Sequence, residues 1–199
     1  MSQSFAHSET AQNLMRAFAG ESQARNRYTL AAELCRQQKL PVVEAVFTFT
    51  AGQELAHAQV FLRHLQELNG ENIPITAGYP VTFSNSVLDH LRQAAHNEQE
   101  EEESAYPAFA QIAQEEGFAA VANSFRQIAA IEGVHHQRFQ TLAQLVETEQ
   151  LFVAQADQGW MCLNCGHILH GKEAPRVCPV CQHPQGYFIR LELAPYTKG

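Results

Sequence analysis

Five of the six residues from Glu98 to Glu103 are glutamate, and like charges three and four apart on a helix repel. The apolar neighbours nevertheless mark an inward stripe, because Leu91, Ala94, Ala105, Phe109 and Ile112 fall at spacings of three and four. Continued through the acidic run, the stripe lands on Glu98 and Glu101. Two carboxylates facing a core are costly to desolvate unless a cation sits between them. A bound metal is the simplest candidate, and three other segments offer it ligands. Glu21 interrupts the stripe Leu14, Phe18, Ala24, Tyr28, Ala31, Cys35. Glu54 and His57 interrupt Val43, Phe47, Thr50, Phe61, Leu65, Leu68, and Glu132 and His135 interrupt Val121, Phe125, Ile128, Phe139, Leu142, Val146. A separation of three places Glu and His on one helical face. A single Glu-x-x-His is usually a solvated face, but four such intrusions at the midpoints of four apolar stripes are not an accident. Carboxylates and imidazoles in this combination suit a pair of iron or manganese ions held in a four-helix bundle, with two helices giving Glu and two giving Glu-x-x-His. The third helix gives one carboxylate more than that scheme needs. His64, His90, His96 and His136 fall off the stripes or near surface positions and read as ordinary histidines.

A second pattern lies near the C-terminus. Cys162-x-x-Cys165 and Cys178-x-x-Cys181, twelve residues apart, have the spacing of a tetrahedral four-sulfur site. The spacing does not choose between iron and a structural zinc ribbon. Trp160, Tyr187 and Phe188 are candidates for an aromatic cluster over it. Cys35, among Ala31, Ala32 and Leu34, reads as a small buried apolar residue.

The elements that position these groups follow from periodicity and punctuation. A first helix is expected over about 9–39, capped at Ser8 or Thr10. Pro41 opens a second that reaches about Asn69. The segment from Gly70 to Phe83, with Gly70, Pro74, Gly78 and Pro80, is too long for a tight turn and reads as a crossover along the bundle. A third helix, capped at one of Ser84, Asn85 or Ser86, runs to Glu116 and stops at Gly117. Pro107 inside it should kink it or open its hydrogen bonding. A fourth runs over about 118–150, and its Gly133 has no sequence-level explanation beyond close packing. The expected organisation is a metal-binding bundle over 1–148, a linker over 149–158, and a small domain over 159–199 that needs a metal to hold it together. With 199 residues and a formal charge of −8, there is no electrostatic case for binding nucleic acid or anionic membrane. No apolar run could span a bilayer and the start lacks a secretory pattern, so a cytoplasmic location is expected.

Taken together, the chain resembles the rubrerythrins nearly end to end. The resemblance is carried by Ala-Gly-Glu21-Ser-Gln-Ala-Arg-Asn-Arg-Tyr28, Glu54-Leu-Ala-His57, the Glu98-x-x-Glu101 pair before Tyr106-Pro107, Glu132-Gly-Val-His135-His136, and Trp160-Met-Cys162-Leu-Asn-Cys165-Gly with Ala-Pro-Arg-Val-Cys178-Pro-Val-Cys181. It implies a mainly α protein, a ferritin-like four-helix bundle with a long crossover between its second and third helices, followed by a rubredoxin-like β domain. It implies that Glu21, Glu54, Glu98, Glu101, Glu132 and His135 ligate two irons. His57 would be a part-time ligand that exchanges with Glu101 as the oxidation state changes. Tyr28 and Tyr106 match tyrosines that support this site, and the four cysteines would bind one further iron that passes electrons to it. The implied activity is reduction of hydrogen peroxide to water in oxidative-stress defence. NAD(P)H would be the distant electron source through a separate reductase or rubredoxin, since no Gly-rich dinucleotide fingerprint occurs. Homodimers or larger assemblies are implied as well. Gly133-Val134 and His167 depart from the usual family residues without removing a ligand. The alternatives are a ferroxidase or iron-storage protein of the ferritin type, and a metal-binding or electron-carrier module whose bundle is structural only.

Overall fold

The computed structural model describes residues 4–195. Helix α1 (Glu9–Gln37) begins where the Ser8 hydroxyl accepts the Ala11 N–H at 3.0 Å. It turns back through Lys39, in the left-handed region at φ 59°, into α2 (Pro41–His64), with Pro41 in the first turn. Residues 72–83 are extended and outside any helix or strand. They are fastened to α1 by the Arg16 Nε–H, which donates to Thr76 O at 3.2 Å, and by the Tyr79 hydroxyl, which donates to Arg16 O at 2.8 Å.

The third rod is continuous but not uniform. It comprises α3 (Val87–Glu100), a π-helical turn (Glu101–Ala105) and α4 (Tyr106–Glu115). The expected effect of Pro107 is realised as that turn. Pro107 has no N–H to give to Glu103 O and its ring crowds that carbonyl. The widened turn, in which the Tyr106 N–H reaches Glu101 O, takes up the mismatch. Gly117, at φ 90°, then leads into α5 (Ala119–Glu147). Glu116 at the end of this rod accepts the N–H groups of Glu9 and Thr10 at 3.0 and 2.8 Å, tying it to the start of α1. The result is the expected ferritin-like bundle. Its interior is two apolar clusters, one around Tyr28, Phe47, Leu91 and Phe139, the other around Leu14, Phe61, Tyr106 and Phe125.

The C-terminal part is a three-stranded antiparallel sheet in the order β2-β1-β3, formed by β1 (Val153–Cys162), β2 (Ile168–Glu173) and β3 (Phe188–Arg190). The stretch expected as a linker, 149–158, is strand from Val153 onward. Val153 pairs with Glu173 and Gln158 with Gly171 across a register shift. The polar sequence Gln155-Ala-Asp157-Gln158 concealed it because this part of the strand buries little. The sheet sits on the α1–α2 turn. Ile189 joins the bundle core near Val42 and Val43, and a Cβ at Gly186 would stand 2.5 Å from Lys39 O, so only glycine permits this approach.

Candidate metal centre

The two apolar clusters leave a polar layer between them at mid-bundle. Glu21, Glu54, His57 and Glu132 each bring one ligand atom within 4.8 Å of the others, and so do Glu54, Glu98, Glu132 and His135. Glu54 and Glu132 belong to both groups. The arrangement is therefore two adjoining cation sites joined by two carboxylates. The His57 and His135 rings stack 5.6 Å apart at 19°, each with Nδ1 turned inward. His57 Nδ1 lies 2.9 Å from Glu132 Oε1 and 3.2 Å from Glu54 Oε2, while His135 Nδ1 lies 2.8 Å from Glu132 Oε2 and 3.1 Å from Glu54 Oε1.

These contacts are close without being aligned as hydrogen bonds. Among the described residues, thirteen buried side-chain N or O atoms lack a hydrogen-bond partner, and eight are Glu21 Oε2, both oxygens of Glu54 and of Glu132, Glu98 Oε2 and the Nδ1 atoms of His57 and His135. So many orphaned donors and acceptors in one small space would be costly in a finished core. Lone pairs aimed at common points between them are what a pair of cations requires, and the oxygen and imidazole donor set suits iron or manganese.

An internal repeat organises the layer. Glu21, Glu54 and His57 on the first helical hairpin correspond to Glu98, Glu132 and His135 on the second. Tyr28 follows Glu21 by seven residues and Tyr106 follows Glu98 by eight. The extra residue is the one the π-helical turn absorbs. Each tyrosine serves the opposite hairpin, since the Tyr28 hydroxyl donates to Glu98 Oε1 and the Tyr106 hydroxyl to Glu21 Oε1. Burial first, and the neighbouring carboxylates second, push both phenols well above their usual range, so they remain neutral donors. Tyr28, Phe47 and Phe139, with centroids 5.0–5.9 Å apart, close one end of the layer, and Phe61, Tyr106 and Phe125, 5.0–5.8 Å apart, close the other.

The electrostatics demand positive charge. Burial alone would lower the His57 imidazole, but Glu132, Glu21 and Glu54 around it carry it up to about 12. Burial likewise opposes the His135 imidazolium, and Glu132, Glu54 and Glu98 raise it to about 11. Glu54 is buried, which by itself raises a carboxyl, yet the two imidazoles bring it down to about 2. Glu98 rises to about 8 through burial and repulsion from Glu54. Glu21 is raised well above the usual range, chiefly by burial.

In the small domain, Sγ of Cys162 lies 3.7 Å from that of Cys181, and Sγ of Cys165 lies 3.8 Å from that of Cys178. A tetrahedron with metal–sulfur bonds near 2.3 Å has edges of about 3.8 Å, so the thiols already stand at ligand spacing. Two matching loops hold them. The Cys162 N–H donates to His167 O and the Cys178 N–H to His183 O, at 2.9 and 2.8 Å. Each loop has a positive φ after its second cysteine, 74° at Gly166 and 60° at Gln182. The His183 N–H then reaches Cys181 and pulls that thiol down to about 6. Trp160, Phe188 and Ala174 pack with Cys162 and Cys178, with Tyr187 at the margin, which realises the aromatic cluster expected from the sequence.

Residues 12–143 match the family model described as Rubrerythrin, and residues 160–189 match the one described as Rubrerythrin, rubredoxin-like domain. The chain belongs to the rubrerythrin family. A rubrerythrin of Porphyromonas gingivalis is 43% identical over 188 residues, covering 94% of this chain and 92% of that protein. One of Clostridium perfringens is 44% identical over 181 residues, covering 90% and 93%. Among solved structures, nigerythrin in its mixed-valence state superimposes with a TM-score of 0.62 at 29% identity, covering 92% of this chain and 90% of that one. A bacterioferritin of Desulfovibrio desulfuricans, at 23% identity and a TM-score of 0.64, shares the fold of the bundle.

As a rubrerythrin-family chain, the protein has a diiron carboxylate site in its Glu/His clusters and a four-cysteine rubredoxin-like site. Of the seven bundle residues expected to be ligands, six converge. The seventh, Glu101, is half-buried on the π-helical turn and lies outside both four-residue groups, with Oε1 3.9 Å from the position a Gly20 Cβ would take. Burial first, then Glu21, raise its carboxyl well above the usual range. His64, His90 and His136 bond Ser124 Oγ, Ser84 O and Ala95 O, and His96 pairs with Glu100, all apart from the centre.

Sequence reasoning missed the residues that aim His135. Its Nε2 lies 3.1 Å from Gln53 Oε1, which also accepts the Arg138 Nη1–H at 2.9 Å. Arginine only donates, so the Gln53 oxygen must face both partners and Nε2 must carry a proton; when the ring gives up its second proton to bind a metal, it is Nδ1 whose lone pair is freed, pointing inward. Gln53 and Arg138 are polar residues off the apolar stripes, and nothing in a single sequence separates such a supporting group from a solvated one. A Cβ at Gly133 would meet the Glu102 carboxylate of the π-helical turn, the flexible end of a half-buried side chain that would have to turn aside.

Proposed function

We propose that the protein is a non-haem diiron peroxidase that reduces hydrogen peroxide to water, with electrons relayed through iron in the four-cysteine site, in defence against oxidative stress. The observation that supports this most directly is the paired Glu/His cluster with its eight unpartnered inward-facing atoms, in a chain that also carries a four-sulfur site. Glu21, Glu54, Glu98, Glu132 and His135 would hold two irons, and His57 and Glu101 would be the exchanging pair. In support, His57 Nδ1 converges with the cluster while Glu101 stands outside it. The irons, when bound, would supply the two electrons that peroxide reduction consumes.

The chain's own residues do the rest. Tyr28 and Tyr106 hold Glu98 and Glu21 in one orientation by donating neutral hydrogen bonds. The two aromatic triads keep water from the layer along the bundle axis, which strengthens every charge interaction inside it. Glu101, whose carboxyl is raised above the usual range by burial and by Glu21, stands where it can hand on one of the two protons that the two water molecules need. Cys162, Cys165, Cys178 and Cys181 would hold the iron through which electrons return one at a time, ultimately from NAD(P)H through a separate reductase or rubredoxin. Glu54 stands thirteen residues into α2, about 20 Å from its N-terminus at 1.5 Å per residue, and the rubredoxin-like domain sits at that end. That separation, with the exposed Phe49, Leu55, Ile131 and Val134 on α2 and α5, supports a homodimer or larger assembly in which one copy's sulfur site serves the other's bundle. No described helix is long and apolar enough to cross a membrane, which agrees with action in the cytoplasm.

The test is anaerobic rapid mixing of fully reduced, iron-loaded protein with hydrogen peroxide and, separately, with dioxygen, following the visible absorption of the oxidised four-cysteine centre. Faster return of colour with peroxide is expected. An equal or faster response to dioxygen, or no colour at all, would remove the peroxidase reading in favour of an oxidase, a ferroxidase or a zinc-bound domain.

A further inference from the structure

A cavity of about 310 Å³ lies between α1, the π-helical turn and the crossover. Its inner wall is Gly20, Asn97, Glu101 and Tyr106, and its rim is the exposed stretch from Ala77 to Tyr79. It therefore runs from solvent to the one carboxylate of the centre that stands outside the ligand clusters. Two residues of its lining also carry buried N–H groups without a partner. Asn97, only 7% exposed, receives Gln93 Nε2–H on its Oδ1 at 3.0 Å and leaves its own Nδ2 unmatched, and Arg27 Nε is likewise without a partner. Buried N–H donors are rarely left idle.

Gly20 is a separate clue. A glycine inside a helix weakens it relative to alanine, so it usually has a packing or backbone reason. Neither applies here, since its backbone is helical and an added Cβ would meet only Tyr79 Cε1 at 3.7 Å and Glu101 Oε1 at 3.9 Å, both ordinary contacts. What the missing methyl leaves is open space between Tyr79 above and Glu101 below.

We propose that this cavity is the entrance and holding site for a hydroperoxide, with Arg27 Nε–H and Asn97 Nδ2–H donating to it, Glu101 as the inner gate, and Tyr79 of the crossover as the roof. The proposal rests on the peroxidase reading and adds the route and the selectivity. The carboxylates behind Glu101 repel anions, so the passage suits a neutral molecule. Hydrogen peroxide both donates and accepts, and can engage the two N–H groups and the Glu101 carboxylate together. Dioxygen gains little from the same lining.

The experiment uses the full-length, iron-loaded, reduced protein and its Gly20→Ala, Ala77→Trp and Asn97→Leu variants, oxidised in turn by hydrogen peroxide, tert-butyl hydroperoxide and dioxygen. Gly20→Ala and Ala77→Trp are expected to lower the rate with tert-butyl hydroperoxide by about tenfold relative to hydrogen peroxide, the effect of a methyl-sized obstruction on a bulky substrate. Gly20→Ala should also raise the melting temperature, which separates obstruction from damage. Asn97→Leu should slow hydrogen peroxide and leave dioxygen unchanged. Independently of activity, crystals of metal-free protein soaked in hydroxylamine, a neutral two-atom analogue of peroxide, should show elongated density beside Asn97 and Arg27, and the Ala77→Trp crystals should not. An unchanged ratio of bulky to small peroxide in both obstructed variants, or a cavity without hydroxylamine, overturns the proposal. If wild-type protein is oxidised no faster by peroxide than by dioxygen while the obstructed variants still discriminate by size and hydroxylamine still binds, the peroxidase reading fails and the entrance stands.

Discussion

Metal-free protein should become less stable as the pH rises through the mildly alkaline range, which is unusual for a chain of net charge −8 whose histidines would otherwise titrate near neutrality. His57 and His135 are raised to about 12 and about 11 by the carboxylates around them, against about 6.5 in an unfolded chain. Above pH 6.5 the folded state therefore holds two protons that the unfolded state has released. A raised pKa contributes stability that is complete below the unfolded value and is lost as pH climbs toward the folded one. The two protons together correspond to a fall of roughly 3 kcal/mol per pH unit between pH 8 and 9. Both side chains are at most 8% exposed, so solvent does not screen the effect away. Glu98, raised to about 8, acts in the same direction below pH 8. Glu54, lowered to about 2, adds stability above the ordinary carboxylate range and loses it only in strong acid, outside this window. Urea denaturation of chelator-stripped protein, followed by helical circular dichroism at half-unit steps from pH 7 to 9.5, measures the slope directly. A flat or rising stability over that interval would show that the cluster is not held together by imidazolium protons, and the electrostatic account of the site would fall. With ferrous or manganous ion at saturation the slope should reverse, because metal displaces those protons and binds more tightly as pH rises.

Gln53→Leu and Arg138→Leu should each weaken iron binding by about 10- to 100-fold, the usual cost of removing a ligand's supporting partner, as read by competition with a calibrated chelator. Equal affinity in all three proteins would mean that the Gln53 contact does not orient His135. Gly186→Ala places a methyl against the Lys39 carbonyl and should loosen the rubredoxin-like domain from the bundle. Rapid proteolytic cleavage near Gln150 would show this, and an unchanged cleavage rate would argue against the seat described for that domain. Tyr106→Phe leaves the buried Glu21 Oε1 without its donor and should destabilise the protein by about 1–3 kcal/mol, measured as a shift in the urea midpoint at constant slope.

The Glu/His cluster at mid-bundle and the presence of two metal-binding parts were legible in the sequence because they rest on local rules. A helix fixes which residues share a face, so Glu54 with His57, Glu132 with His135, and an isolated Glu21 could be placed at the centre of a bundle without coordinates. Paired Cys-x-x-Cys spacing likewise reflects short loops whose geometry is set within a few residues. The strand beginning at Val153 was not legible, since strand pairing depends on a partner twenty residues away and its own side chains bury little. The π-helical turn was only half legible. Pro107 announced a disruption, but that the helix would widen by one residue, bring Tyr106 into the position equivalent to Tyr28 and leave Glu101 outside the ligand clusters depends on how the rod packs against α1 and α5. The same holds for Gln53 and Arg138, and for the cavity beneath Tyr79. Helical periodicity says what faces inward, whereas what an inward or half-exposed group meets there is decided by other segments of the chain, and only the folded structure brings those together.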